Sequence, residues 1–205
     1  MKKYFAEFIN DHFFSRRVEL MEKFENYLEL LREQNKKINL VSRETKEREF
    51  WTLHFLDSIL PVTQMKLQGK RVLDFGTGGG MPGIPLKLVQ PEMQLHLLDS
   101  RHKKMLAVGH ILKKLDLKDC FTIVSRLEDL AEKYDSLFDI IVCRSVRIKP
   151  VFAKHLLRVL KPGGKLYLYK SKKLDDVYQF RDYTIIDVSH QQIGERKIVK
   201  IRKQG

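Results

Sequence analysis

The chain has 205 residues, 43% of them hydrophobic, and its 39 lysines and arginines outnumber 26 acids to leave a net charge of +13. That length buries one substantial core and suits a catalytic domain with an extension. No apolar run reaches the roughly 20 residues of a membrane span, and Glu7 interrupts the start where a signal peptide needs an unbroken apolar stretch, so a cytoplasmic protein is expected. Cys120 and Cys143 abut apolar, strand-like runs and have no paired histidine spacing, which points to two reduced core thiols and no metal site.

In chain order, Val18, Met21, Phe24, Leu28 and Leu31 recur at helical spacing over residues 17–34, an amphipathic helix whose apolar face is core. A second helix is expected over 45–60, with Pro61 ending it. His54 and Asp57, three apart, share one of its faces; a structural hydrogen bond is the ordinary reading, a place at the edge of an active site the other. Residues 1–68 are therefore taken as a helical extension and 69–205 as the cofactor domain.

Beyond Gly69 strand and helix signals alternate. Strands are expected at 71–75, 95–99, 121–124, 138–143 and 165–170, and helices at 83–89, 102–115, 127–132 and 150–160, the last closed by Lys161-Pro162-Gly163-Gly164. Runs at 184–188 and 197–201 flank Gly194 and read as an antiparallel hairpin. Five parallel strands followed by a hairpin describe the class I methyltransferase variant of the doubly wound, Rossmann-like α/β sheet. Ligands of such sheets sit at the carboxyl ends of the strands, where Asp74, Asp99, Ser125, Arg126, Cys143, Arg144 and Lys170 fall.

The segment Arg71-Val72-Leu73-Asp74-Phe75-Gly76-Thr77-Gly78-Gly79-Gly80-Met81-Pro82-Gly83-Ile84-Pro85 is a strand that breaks into a glycine turn and then a helix. A helix starting near Gly83 is expected to present its free N–H groups to the ligand. Gly78, Gly80 and Gly83 satisfy the dinucleotide fingerprint, which alone is unspecific. Asp74 separates the ligand classes: a carboxylate there repels a pyrophosphate and suits the ammonium and sulfonium of S-adenosyl-L-methionine. Asp99, at the end of the next strand, is placed for ribose hydroxyls, which supports a nucleoside without choosing between cofactors.

Residues 1–70 carry 13 bases and 11 acids, so +11 of the net charge lies in 71–205. No carboxylate occurs from Ile140 to Leu174, where ten lysines and arginines do, and a second acid-free cluster holds Arg101, Lys103, Lys104, Lys113 and Lys114. Two such stretches beside a methyl donor favour a nucleic-acid substrate.

Several segments together resemble the bacterial 16S ribosomal RNA guanine-N7 methyltransferases, the glucose-inhibited division protein B family. They are Asn39-Leu40, His54-Phe55-Leu56-Asp57-Ser58, Asp74 through Pro85, Leu98-Asp99-Ser100 with Lys103-Lys104, Ser125-Arg126-Leu127-Glu128, Arg144-Ser145, Tyr169-Lys170 and Gly194-Glu195-Arg196. The run from Gly76 to Pro85 is the most specific piece, since generic methyltransferases lack its Pro82-Gly83-Ile84-Pro85 continuation. The chain departs from the family in a shorter segment between Lys170 and the hairpin, and in Ser145-Val146 after the arginine. The resemblance implies cofactor contacts at Gly76 and Met81, adenine contacts at Leu127 and Glu128, ribose contacts at Asp99, and a cofactor and catalytic role for Arg144, beside Asp74 and Gly78 of the turn.

Guanine N7 carries a lone pair and no proton, so no general base is required. The RNA contacts expected from charge are Arg144, Arg147, Lys170, Lys172 and Lys173, and the expected partner is 16S ribosomal RNA or the small ribosomal subunit, bound by a monomer. The competing readings are a methyltransferase for another nucleic acid or a small molecule, an RNA-binding assembly factor without turnover, and an NAD-dependent oxidoreductase, which Asp74 disfavours.

Overall fold

A computed structural model describes residues 1–204. Seven strands form one sheet in the order β3-β2-β1-β4-β5-β7-β6, namely β1 (Arg71–Phe75), β2 (Gln94–Asp99), β3 (Cys120–Val124), β4 (Phe138–Arg144), β5 (Leu160–Lys170), β6 (Tyr183–Asp187) and β7 (Lys197–Arg202). β1 to β5 run parallel, and β7 is antiparallel to both β5 and β6. The strand order follows composition. The apolar runs of β1 and β4 are covered on both faces at the centre, whereas β3 and β6 expose most of their residues at the edges.

Alternation along the strands divides the core in two. Val72, Leu95, Leu97, Ile140, Val142 and Tyr167 point to one face, and Leu73, Leu98, Ile141, Cys143, Leu166 and Leu168 to the other. The first face is covered by the helices Gly83–Val89 and His102–Lys114 and by the N-terminal helices Lys2–Phe13 and Arg17–Lys37. The second is covered by the helix Pro150–Val159 and the segment that follows β5. The extension thus shares a core with the sheet. Phe24 packs edge-on against Phe5 and tilted against Phe55, at 4.7 and 5.2 Å between ring centroids, and the Arg16 guanidinium donates to the Leu88 and Val89 carbonyls at the end of the Gly83–Val89 helix.

Three elements differ from the sequence reading. The stretch expected as one α-helix over 45–60 begins with a turn at Glu47–Glu49, widens to π geometry over Phe50–Leu56, returns to α over Asp57–Ile59 and tightens to a 3-10 helix over Leu60–Gln64. Pro61 does not end it. A proline in the first turn of the 3-10 segment occupies a position whose N–H has no helical partner. Residues 127–131 form a turn and an irregular link rather than a helix, with a 3-10 turn beginning at Glu132; Leu127 and Leu130 reach the core and the Leu130 carbonyl accepts from Arg158 instead of from a helical amide. Lys161–Gly164 begins β5 itself, with a register shift against β4. Both cysteines are free thiols, and among the described residues no helix is long and apolar enough to cross a membrane.

Candidate active site

The parallel register aligns the ends of β1, β2, β4 and β5 along one rim, with Asp99 beyond Phe75 on one side and Arg144 beside Tyr169 on the other. Between them the chain turns at Gly76. Its φ of +72° lies in the left-handed region, and a Cβ there would stand 2.5 Å from a Val146 methyl, so only glycine fits.

Asp74 lies beneath this turn and is fully buried. Its Oδ2 accepts from the Thr77 hydroxyl at 2.7 Å and from the Gly83 N–H at 2.8 Å, while Oδ1 has no partner. Burial pushes the carboxyl up to about 6, against the lowering pull of Thr77 and Gly83. This changes the expected geometry of the helix start. Gly83 donates to Asp74, Ile84 to the Gly80 carbonyl and Leu86 to the Pro82 carbonyl, and Pro85 has no N–H. The helix amides therefore do not face a ligand, and the place a pyrophosphate takes in a dinucleotide fold is filled by the protein's own carboxylate.

Asp99 is half-buried on the same side. Its Oδ2 accepts from the Gly78 N–H and its Oδ1 from the Arg101 N–H, leaving one lone pair on each oxygen. Met81 is buried in the first half of the core and Leu127 in the second, and Glu128 is half-buried. The N-terminal extension supplies residues that the sequence reading passed over. The fully buried Tyr27 donates its hydroxyl to the Gly79 carbonyl at 3.0 Å. Asn35 Oδ1 accepts from the Leu40 and Val41 amides, holding a loop that packs against Gly79. Both lie more than 35 residues before the turn, and no local pattern marks them.

On the other side, Arg144 is 11% exposed. Its Nη1 donates to the His54 carbonyl at 3.2 Å and to Asp57 Oδ2 at 3.0 Å. Asp57 Oδ1 accepts from Arg196 Nε at 2.8 Å, so one buried carboxylate holds two guanidiniums. His54 and Asp57 act through different groups, the first through its carbonyl and the second through its side chain. Burial, and then the Arg144 charge, lower the His54 imidazole to about 4. Ser145, next to Arg144, has a φ of +60°, an uncommon conformation for a residue with a side chain.

Lys170 does not project into solvent as an RNA contact would. Its ammonium pairs at 2.5 Å with Asp176, and both side chains are nearly buried. Burial alone would raise the Asp176 carboxyl; Lys170 and the Ile148 amide outweigh it and hold it below the ordinary range. Arg147 is exposed and pairs with Asp175 at 2.9 Å, and Lys172 and Lys173 are exposed. A cleft of about 370 Å³ opens between Arg144, Arg196, Lys170 and Lys173.

The acid-free stretch is less positive in space than in sequence. Of its ten cations, Arg144, Arg147, Arg158, Lys161 and Lys170 pair with Asp57, Asp175, Asp135, Asp139 and Asp176, all from outside the stretch. Among the described residues, Lys149, Lys154, Lys165, Lys172 and Lys173 make no such pair.

A sheet of this order, with a glycine turn after β1 and an acid closing β2, defines a class I methyltransferase fold. Solved structures share it. The tRNA (m1A58) methyltransferase TrmI from Aquifex aeolicus superposes with a TM-score of 0.59 at 18% identity, over 73% of this chain and 68% of that one. A SAM-dependent methyltransferase from the same organism gives 0.57 at 19%, over 75% and 92%. The model of the GidB family, rRNA small subunit methyltransferase G, matches residues 20–200, and the chain belongs to that family. Relatives named ribosomal RNA small subunit methyltransferase G include one from Mesoplasma florum, 37% identical over 77% of this chain and 66% of its own length. Another, from Staphylococcus epidermidis, is 33% identical over 89% and 82%. The match thus spans about two thirds of the Mesoplasma florum relative.

Proposed function

We propose that the protein transfers a methyl group from S-adenosyl-L-methionine to N7 of a guanine in a loop of 16S ribosomal RNA. The observation that carries this reading is the family match over residues 20–200, which runs through both the glycine turn and the Arg144 side of the rim.

The residues fit the cofactor. The unpartnered Asp74 Oδ1 is a buried acceptor under the turn, suited to a cationic ligand, and the Asp99 carboxylate keeps lone pairs for ribose hydroxyls. In this reading Asp99 binds the ribose, Gly76, Gly78 and Met81 line the turn, Leu127 and Glu128 flank the adenine, and Asp74 sets the turn's shape and charge from beneath. When bound, S-adenosyl-L-methionine supplies a methyl group made electrophilic by its sulfonium. The N7 lone pair attacks without loss of a proton, so the protein's task is alignment, for which effective molarities reach roughly 10⁵ to 10⁸ M in favourable cases.

Arg144 is the catalytic residue of this proposal. Fixed through Nη1 by Asp57 and His54, it keeps Nε and Nη2 to orient the guanine or its phosphate. Arg147, Lys172 and Lys173 contact the RNA backbone, and Lys170 acts beneath them by holding Asp176. A looped target suits this site, because rotating a base out of its stack costs least where it is unpaired. We propose that residues 69–205 form the catalytic unit and 1–68 one wall of its cofactor site, working as a cytoplasmic monomer.

The test is transfer of labelled methyl to small ribosomal subunits lacking the modification, followed by nucleoside analysis. N7-methylguanine at one loop position is expected, and Arg144→Ala should abolish it. Cofactor binding without transfer to subunits or naked RNA would overturn the substrate assignment and send the search to another methyl acceptor.

A further inference from the structure

The segment after β5, residues 171–182, is a strap anchored from below. Val177 and Phe180 insert into the second core face at 2% and 4% exposure. Asp176 accepts from the Ile148 amide and binds Lys170, and the Gln179 amide group donates to the Ile148 and Asp176 carbonyls. These contacts tie the strap to the loop after Arg144, and together the two form a wall of the cleft.

Between its anchors the strap turns Tyr178 outward, at 73% exposure. Of the two aromatic rings more than half exposed among the described residues, Phe14 is covered by the Arg17 guanidinium at 4.3 Å, whereas Tyr178 has no ring or cation partner. Lys172, Lys173 and Arg181 on the same strap are also exposed. An uncovered aromatic ring on a segment that also carries exposed cations is an arrangement on which single-stranded bases stack, the cations following the phosphates.

Resting on the function proposed above, we infer that Tyr178 is a stacking subsite for an unpaired RNA base adjoining the target guanine. The four anchoring residues fix the backbone on both sides of Tyr178, two residues beyond the cleft-lining Asp176, and the cations of the strap carry the phosphates on either side. Tyr178 is then a specificity-determining residue: it recognises that a base is unstacked, whatever its identity.

The experiment is steady-state methyl transfer to unmodified small subunits by wild type, Tyr178→Ala, Tyr178→Leu and Tyr178→Trp, with melting temperature and cofactor KM measured alongside. Loss of one stacked base corresponds to a rise in RNA KM of about 5- to 150-fold for Tyr178→Ala. Cofactor KM and melting temperature should not move, Tyr178→Trp should restore wild-type KM, and Tyr178→Leu should not. Wild-type RNA KM in Tyr178→Ala, or equal rescue by leucine and tryptophan, would overturn stacking. If wild type methylates no RNA, the function proposed above fails separately. The subsite is then decided by binding of a fluorescent single-stranded oligonucleotide, which Tyr178→Ala should weaken by a similar factor; equal binding would overturn it.

Discussion

On the β1–β2 side of the rim the carboxylates of Asp74 and Asp99 are held by backbone amides and a hydroxyl, whereas on the β4–β5 side Arg144, Arg147 and Lys170 are held by carboxylates. Amides fix a carboxylate's direction and leave its charge in place, so that side stays suited to a cation. Ion pairs fix a cation's direction while cancelling much of its long-range field. The second side therefore offers directed donors more than a positive potential, and the unpaired field comes from lysines further out, such as Lys172 and Lys173.

The largest expected break in this comparison is Asp57→Ala. It leaves the guanidiniums of Arg144 and Arg196 side by side at 11% and 27% exposure with no shared carboxylate. Removing one partner from a buried ionic group costs about 3 to 5 kcal/mol, and the partial exposure of Arg196 places this case near about 3 kcal/mol. Chemical denaturation should report that loss. A cofactor Kd within twofold of wild type would confirm that the amide-held side stands independently.

The pH response should separate the two sides by sign. His54 is lowered to about 4 from 6.5, so the unfolded chain binds its proton first; its contribution to stability is present above pH 6.5 and lost as pH falls through 4. Asp74 is raised from 3.8 to about 6, so its ionisation penalises the folded state above pH 6 and vanishes below pH 3.8. Across the same window the two slopes oppose. Relative to wild type, His54→Gln should remove a loss of about 2 kcal/mol on acidification, discounted for partial exposure, and Asp74→Asn should remove a loss of about 3 kcal/mol on raising the pH. Urea denaturation from pH 4 to 7 measures both, and equal signs for the two variants would refute the assignment.

The same contrast explains what the sequence disclosed. The glycine turn, Asp74 and Thr77 lie within a few residues of one another, and the strands read clearly because their apolar runs are short, contiguous and punctuated. The ion pairs of the other side join Arg144 to a residue 87 positions away and Arg147 to one 28 away, so a count of acids within the stretch does not see the carboxylates that pair its cations. The widened helix over Phe50–Leu56 was illegible for a related reason. The His54 carbonyl within it and the Asp57 side chain just after it meet Arg144 across the fold, a long-range contact that local propensity does not report. Asp74 shows the converse: its position was legible, but whether its carboxylate faced the ligand or the helix amides depended on where Gly83 closes the turn.

The smallest effects come from a pair of identical substitutions at two glycines. A Cβ on Gly83 would stand 2.7 Å from Asp74 Oδ2, 2.9 Å from a Leu97 methyl and 3.1 Å from the Asp74 Cβ. None of these is the free end of a long side chain, so Gly83→Ala must lift the helix from β1 and lengthen the bond that orients Asp74. Overpacking of this kind costs about 1 to 3 kcal/mol, and the cofactor Kd should rise with it. Gly109 sits inside the helix His102–Lys114, where the nearest neighbour of an added Cβ is a Thr122 methyl at 3.9 Å. Gly109→Ala meets ordinary contact and gains helix propensity, so stability should rise by about 0.5 to 1 kcal/mol with the cofactor Kd unchanged. Opposite shifts in melting temperature, with loss of cofactor affinity only at Gly83, would show that the close approach of helix to strand is what shapes the cofactor side of the rim. A neutral Gly83→Ala would mean that the turn can open without moving Asp74, and that its carboxylate is oriented by Thr77 alone.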